Sequence, residues 1–333
     1  MTEVPEPDPS TEPAGDGTAE ESQVCPSCGA LGAPGALWCE ACGADFAGEH
    51  EALTGPPCID CGAPFEEIVD GYCSECGRKQ PAERDHQTDS VTGANGGSVV
   101  AASDRGMRHH QNEDAFAIAT VGERLIAVVC DGVSTTSDPQ DASLAAATAA
   151  RDSLVAALES GATDIEAELV AAVAAAQTAA AAVPVGAGSA EGAPSTTIVV
   201  SVVVPDSSSP AMARSFTACL GDSRAYWVHT VDDAPAVTQL TTDDEVDGSI
   251  TKWLGADAVD TAPNITLAEH DPGGSMLLCS DGLWKYAPTE LEMAEVLATH
   301  RELAGLDLAN ALVSFALERG GHDNTTVVIA GIT

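Results

Sequence analysis

Five acidic positions fall where apolar, β-branched runs begin or end. Ile126–Ser134 reads IAVVCDGVS and stops at Asp131 and Gly132. Ser275–Gly282 reads SMLLCSDG and delivers Asp281 the same way, and Phe216–Asp222 (FTACLGD) delivers Asp222. Gly320–Val328 (GGHDNTTVV) sets Asp323 just before a β-branched run, and Asn112-Glu113-Asp114 precedes the apolar Ala115–Ala119. Such runs predict buried strands, each placing a carboxylate on the loop at its end. Carboxylates gathered in one place repel unless protons or cations intervene. The chemistry they suit is binding of hard divalent cations, Mg²⁺ or Mn²⁺, which favour oxygen ligands.

A second set of chemical groups lies upstream. Cys25, Cys28, Cys39 and Cys42 form one quartet, and Cys58, Cys61, Cys73 and Cys76 another. Each reads C-x-x-C, a gap of ten or eleven residues, then C-x-x-C, and the second cysteine of every pair precedes a glycine. A redox C-x-x-C would be single and would lie beside a βαβ pattern. Two repeats with matching spacing predict two structural Zn²⁺ sites of zinc-ribbon type, with the glycine allowing the tight turn beneath each knuckle. Ribbons this small fold with their metal, so binding and folding form one event. Trp38, Phe46, Phe65 and Tyr72 are non-ligand residues for a docking face or for packing on the ribbons.

The elements needed to position the carboxylates follow from pattern. Ser98–Ser103, Ala115–Thr120, Arg124–Cys130, Thr196–Val204, Arg214–Leu220, Ala225–His229, Ala236–Leu240, Ser275–Cys279 and Thr325–Gly331 read as strands. Asp138-Pro139 predicts a capped helix through Leu158. Thr163–Glu166 and Thr289–Glu292 read as capping boxes, and Leu308–Arg319 as a helix stopped by Gly320-Gly321. Strands come in runs and helices in pairs, which excludes βαβ alternation and predicts antiparallel sheets with helix pairs outside.

Domain boundaries follow composition. Residues 1–23 are rich in Pro, Glu, Asp, Ser and Thr and are expected to be a disordered acidic tail. Residues 24–77 are the double zinc ribbon, 78–97 a polar linker, and 98–333 the large domain. The chain carries 52 Asp and Glu against 13 Lys and Arg, a net charge of −39. That excludes a nucleic-acid footprint and disfavours anionic membranes. The N-terminus lacks the basic and apolar regions of a signal peptide, and the longest charge-free run, Leu169–Ser189, is alanine-rich and suits a soluble helix better than a membrane span. A cytoplasmic protein is expected.

Residues Ser98–Thr333 resemble the PPM-type (type 2C) metal-dependent protein serine/threonine phosphatases. Eight motifs in family order carry the resemblance: SDRG…NEDA at Ser103–Ala115, VVCDG at Val128–Gly132, STT at Ser195–Thr197, GDSRAY at Gly221–Tyr226, QLTTD at Gln239–Asp243, ITKWLG at Ile250–Gly255, LLCSDGLW at Leu277–Trp284 and GGHDNTTVV at Gly320–Val328. The resemblance implies an α+β fold, a four-layer α-β-β-α sandwich of two antiparallel sheets flanked by helix pairs, here preceded by two small zinc ribbons. It implies a two-metal centre in which Asp131 bridges both ions, the Gly132 carbonyl binds one, Asp281 and Asp323 hold the other, and Glu113 acts through metal-bound water. Bacterial relatives imply a third, weaker ion at Asp222 and Asp281. Two cations about 3.5–4 Å apart lower the pKa of a bridging water and clamp phosphoryl oxygens for in-line attack. They also let a very acidic protein accept a phosphate dianion.

The sequence departs from the family in three places. The phosphate-binding arginine normally stands four residues before the glutamate. Here His109 holds that position and Arg108 is one residue earlier, so Arg108 is expected on the phosphate, with His109 or His110 as the alternative hydrogen-bond or proton donor. Val133–Thr136 replaces the glycine-rich continuation after Asp-Gly, and the flap between Asp243 and Ile250 is short, which predicts an open site. Cys130, Cys219 and Cys279 read as small buried residues, Arg224 and Tyr226 as braces of the GDS turn, Asp243 as structural, Trp253 and Trp284 as core, and His322 as pointing away from the metals.

The expected activity is hydrolysis of phosphoserine and phosphothreonine in proteins, with Mn²⁺ or Mg²⁺ as cofactor and the ribbons as a docking or regulatory module. Phosphorylated proteins, Ser/Thr kinases among them, are the implied partners. The competing expectation is a catalytically weak pseudophosphatase that binds phosphoproteins as a scaffold. The displaced arginine and short flap favour that reading. Retention of Asp131, Asp281, Asp323 and Glu113 argues against it, because an acidic cluster is costly to keep without metal.

Overall fold

The structure, a computed structural model, describes residues 23–24, 29–32, 55–69, 71–185, 192–205, 212–270 and 273–331. The acidic tail up to residue 22 and the quartet Cys25, Cys28, Cys39 and Cys42 lie outside the described residues, as do Trp38 and Phe46. The chain divides into two compact units, one within Met1–Gln80 and one within Pro81–Thr333. In the first, a single helical turn at Phe65–Glu67 leads into a two-residue antiparallel pairing of Ile68–Val69 with Tyr72–Cys73.

The second unit contains, in chain order, β1 (His86–Thr92), β2 (Ser98–Asp104), β3 (Ala115–Val121), β4 (Arg124–Cys130), α1 (Pro139–Glu159) and α2 (Ile165–Ala181). These are followed by β5 (Ile198–Pro205), β6 (Ala213–Leu220), β7 (Arg224–Val231), β8 (Ala234–Gln239), β9 (Asn264–His270) and β10 (Ser275–Cys279). It closes with α3 (Asp281–Trp284), α4 (Glu290–Thr299), α5 (Gly305–Glu318) and β11 (Thr325–Gly331). The strands form two antiparallel sheets, β9-β6-β5-β4-β3 and β8-β7-β10-β11-β2-β1.

Three apolar clusters explain why these sequences take these places. Alternate residues of β4 and β5, such as Ile126, Val128, Val200 and Val202, pack on the alanine-rich faces of α1 and α2. Alanine faces let helices approach closely while favouring the helix itself. The opposite residues of the same strands, Leu125, Ala127, Val129 and Val199, face Val99, Ala101, Met276, Leu278 and Val328 of the second sheet. The far face of that sheet, with Leu277, Cys279, Val327 and Ile329, packs on Met293, Leu297, Leu312 and Phe315 of α4 and α5. Both sheets are apolar on both faces, as period-two strands covered on each side must be.

Register brings the acidic loops to one end of the sheets. Val199 pairs with Val129 of β4, and Ile198 with Leu220 of β6, so the ends of β4 and β6 flank the start of β5. In the second sheet Cys279 pairs with Val327 and Arg224, while Thr325 pairs with Asp104. Asp281 and Asp323 therefore leave neighbouring strand ends. The Ser280 hydroxyl donates to Asp114 Oδ2 at 2.7 Å, joining the end of β10 to the loop before β3.

Several expectations need correction. The span 78–97 is not a linker throughout: β1 pairs along its whole length with β2, from His86↔Asp104 to Thr92↔Ser98. It is an edge strand with mostly exposed side chains, so its polar composition resembles that of a loop. Strand β9 is another edge strand, with Asn264, Leu267 and Glu269 exposed, and its broken alternation escaped the pattern. Asp138 precedes α1 in the left-handed region with φ 48° and makes no capping bond; Pro139 alone supplies the start signal. At α2 the cap is Asp164, accepting from the Ala167 amide, rather than Thr163. The Thr289–Glu292 capping box is present as expected.

Candidate active site and cysteine site

Asp131 is held by its backbone. Its amide donates to Thr197 Oγ1 at 3.2 Å, and its carbonyl accepts from the Thr197 amide at 2.8 Å and from Thr196 Oγ1 at 2.9 Å. The STT motif is thus the socket of the aspartate. Gly132 is buried against the loop, and a Cβ there would stand 2.7 Å from the Glu113 carbonyl and 2.8 Å from that of Pro139. Only glycine lets the chain turn so close to its neighbours.

Asp281 opens α3 and Asp222 ends the turn after β6; their exposures are 8% and 6%. With Asp131 and Gly132 they line a cavity of about 670 Å³ whose wall includes Trp253 and Lys285. Trp253 is therefore on the cavity rather than in the core, with its indole N–H donating to Asp257 Oδ1 at 2.9 Å. The short flap is a hairpin, Glu245–Val246 paired with Ser249–Ile250, turning through Asp247 and Gly248 at positive φ. Gly248, Ser249 and Ile250 form part of the cavity wall, so the shortened segment still reaches the site.

Glu113 and Asp323 sit on the neighbouring loops. Asn324, 3% exposed, clamps them. Its Oδ1 accepts from the Glu113 amide at 2.8 Å, and its Nδ2 donates to the carbonyls of Arg105 at 2.7 Å and Gln111 at 3.1 Å. Ser134 Oγ donates to Glu113 Oε2, and Ser143 Oγ to the Glu113 carbonyl. His109 lies between the two acids: Nε2 is 3.1 Å from Asp323 Oδ1 and Nδ1 is 3.9 Å from Glu113 Oε2. Arg108, the residue expected on the phosphate, is exposed and makes no ion pair or hydrogen bond among the described residues. The one-residue slip thus sets the imidazole, not the guanidinium, against the carboxylates.

The electrostatics are those of a site short of positive charge. Burial, then Asp114, Asp281, Asp222 and Asp323, push the Asp131 carboxyl well above the ordinary carboxylate range. Burial and Asp323 raise Asp281, with Lys285 acting against them. Burial and Asp281 bring Asp222 up to about 7, and burial brings Asp114 up to about 7. The Oδ1 atoms of both Asp281 and Asp114 are buried without a partner. Unpaired buried carboxylate oxygens are costly, and divalent cations bind such oxygens directly. The donor set therefore fits hard cations.

Four contributors carry no strong sequence signal. Asp114 is 1% exposed and faces the other acids; its position beside Glu113 is visible in the sequence, its burial is not. Arg84, in the supposed linker, donates to the carbonyls of Asp114 at 2.9 Å and Gln140 at 2.8 Å. Asn324 and Lys285 read only as motif continuations. The structural roles expected of other residues mostly stand. Arg224 pairs with Asp243 at 2.7 Å and lies 3.7 Å over the Trp284 ring. His322 is exposed and tilts against Tyr286. Burial raises the thiols of Cys130, Cys219 and Cys279, which suits inert core residues.

In the first unit the donor atoms of Cys58, Cys61, Cys73 and Cys76 all lie within 4.8 Å of one another. Gly62 and Gly77 follow the second cysteine of each pair with φ 73° and 72°, and their amides bond back to the carbonyls of Cys58 and Cys73 at 3.0 and 2.8 Å. The Cys61 backbone amide draws the Cys58 thiol down to about 6, while Cys61 is up at about 12 under its neighbouring thiols despite the Ala63 amide. Gln80 Nε2 reaches Cys58 Sγ at 3.4 Å. Four converging thiols on two glycine knuckles are a donor set for one tetrahedral soft ion such as Zn²⁺.

No family model and no curated protein matches the sequence. Solved structures do match it in fold. A serine/threonine phosphatase of S. agalactiae superposes with a TM-score of 0.54 at 18% identity, covering 74% of this chain and all of that one. A bacterial serine phosphatase gives 0.51 at 21% identity over 74% of this chain and 98% of its own. A bacterial serine phosphatase bearing an arginine-to-alanine mutation gives 0.51 at 23% identity over 76% of this chain and 100% of its own. The mixed α/β fold of antiparallel sheets and few helices is thus one that bacterial serine/threonine phosphatases share.

Proposed function

We propose that the chain is a PPM-type protein phosphatase that hydrolyses phosphoserine and phosphothreonine with Mn²⁺ or Mg²⁺. The observation that carries this is the convergence of Asp131, Asp222 and Asp281 on one cavity, with a buried Asp281 oxygen that meets no donor group and upward-shifted carboxyls at these three. In this reading the three apolar clusters are the interfaces of a four-layer α-β-β-α sandwich, and residues 81–333 form the phosphatase domain. Asp131, the Gly132 carbonyl, Asp281 and Asp323 would hold the divalent ions, and the Glu113 carboxylate would accept a hydrogen bond from water at that centre.

When bound, the ions supply an acidified water for attack and charge neutralisation on the phosphoryl oxygens. The chain's own residues do the rest. Thr196 and Thr197 fix Asp131, Asn324 and Ser134 fix Glu113, and Asp323 with Glu113 orients His109. The imidazole then supplies the phosphate contact expected of Arg108, or the leaving-group proton. The flap hairpin and Trp253 shape the wall that meets the phosphopeptide.

In this reading each cysteine quartet of residues 24–77 would hold a structural Zn²⁺, and the segment would serve as a docking or regulatory module for phosphorylated partners, Ser/Thr kinases among them. The cytoplasmic setting rests on the sequence alone. No described helix is long and apolar enough to cross a membrane. The test is phosphate release from a phosphothreonine peptide by the zinc-loaded chain with Mn²⁺, with Mg²⁺ and with neither. Metal-dependent turnover supports the reading. Binding of the peptide without turnover in any metal overturns it and leaves the scaffold reading, which rests on the exposure of Arg108.

A further inference from the structure

Lys285 stands four residues after Asp281, on the turn that closes α3, and its Nζ bonds Asp281 Oδ2. Its ammonium also lies 5.8 Å from the centre of the Trp284 ring, and Trp284 is fixed in turn by indole donation to the Asp222 carbonyl at 2.9 Å. Lys285 is the only cationic side chain among the described residues of the cavity lining, and both Asp222 and Asp281 act on it. The two oxygens of Asp281 are therefore divided. Oδ2 faces a tethered ammonium, and buried Oδ1 meets no donor group, the Asp131 carboxyl being the acid that lies against Asp281. Asp222 lines the same cavity as that ammonium.

We propose that Lys285 is a built-in cation of the cavity wall that Asp222 and Asp281 share, so that divalent ions bind only on the Oδ1 side of Asp281 and none binds at Asp222. This rests on the metal centre proposed above and replaces the expectation of a third ion. An ammonium has a fixed tether, presents three donors and repels a dication at contact distance. The Lys285 side chain is 54% exposed, and its ammonium competes with a weak, water-rich divalent ion for the same carboxylates. The arrangement gives one carboxylate pair a permanent counter-charge, independent of the surrounding metal concentration.

The test is equilibrium dialysis of the zinc-loaded full chain against Mn²⁺, with free Mn²⁺ read by electron paramagnetic resonance. Wild type, Lys285→Arg, Lys285→Asp and the double variant Lys285→Asp with Asp222→Asn are compared, and circular dichroism verifies folding. Lys285→Arg is expected to bind as many Mn²⁺ as wild type. Lys285→Asp is expected to bind one more, and the double variant to lose that extra ion. Should Lys285→Asp fail to fold, Lys285→Met takes its place with the same extra, weaker ion expected. Equal Mn²⁺ numbers in wild type and in the folded variant lacking the ammonium would overturn this proposal while leaving the metal centre standing. No Mn²⁺ bound by any form would overturn the metal centre and the lysine's role together.

Discussion

Replacement of Asn324 by alanine tests how the acidic loops are held. The amide makes three hydrogen bonds from a site 3% exposed, one to the Glu113 amide and two to the carbonyls of Arg105 and Gln111. Alanine removes all three and strands the partners in the interior. A buried group left unpaired costs about 1–3 kcal/mol. Entry of water into the vacated volume recovers part of that, so the expected loss of stability is about 2–4 kcal/mol. Freeing the Glu113 backbone also misplaces its carboxylate, and an error of about 1 Å in a reacting group can cost about a hundredfold in rate. Asn324→Asp retains the acceptor for Glu113 and is expected to lose stability but less turnover than alanine. Urea unfolding followed by tryptophan fluorescence reports on Trp227, Trp253 and Trp284, three of the four tryptophans. Stability within about 0.5 kcal/mol of wild type, with unchanged kcat/KM, would refute the clamp.

Three further outcomes are expected. His270 stacks on Trp227 at 3.8 Å and lies 2.6 Å from the Ser215 hydroxyl; burial, then His229, lowers it from 6.5 to about 4. Its folded value is below the unfolded one, so the unfolded chain binds the extra proton between those values and stability falls as pH drops through that window. The loss is at most about 3.5 kcal/mol at about 1.4 kcal/mol per unit, and chemical denaturation at about pH 7 and about pH 4.5 should show that part of the loss disappears in His270→Gln. His109→Ala should reduce kcat/KM more than Arg108→Ala, because the imidazole contacts Asp323 and the guanidinium contacts nothing described; the opposite order in steady-state kinetics would return the phosphate to Arg108. Cys73→Ser should remove one zinc per chain by elemental analysis and leave turnover on a short phosphopeptide within about twofold, since the quartet belongs to the other compact unit.

The legible parts of the molecule are those whose pattern has a single cause. Ile126–Cys130 and Ser275–Cys279 are buried on both faces and read as strands without help from context. The Thr289 box and the glycines after Cys61 and Cys76 carry backbone requirements that only a few residue types meet. Edge strands β1 and β9 are not legible, because one side of each is unpaired and five of seven side chains of β1 and three of seven of β9 are exposed, where polar residues are neutral. The site follows the same division. Asp131, Asp222 and Asp281 stand out by position at strand ends. The placement of His109 rather than Arg108 against Glu113 and Asp323 depends on the course of the loop from Arg105 to Gln111, which Asn324 sets from more than two hundred residues away. Lys285 owes its place to one helical turn after Asp281, a spacing visible in the sequence but meaningful only once α3 is known to begin at that aspartate.

The central claim is that the strand-end carboxylates perform metal-dependent phosphoester hydrolysis, and it stands or falls with Asp131. The most direct measurement is the Mn²⁺-dependent rate of phosphate release from a phosphothreonine peptide by wild type and by Asp131→Asn, both zinc-loaded and shown to be folded. Loss of several kcal/mol of metal-derived stabilisation predicts a rate at least about a thousandfold lower in the variant. A variant as active as wild type, or a wild type equally active without any divalent cation, would contradict the account.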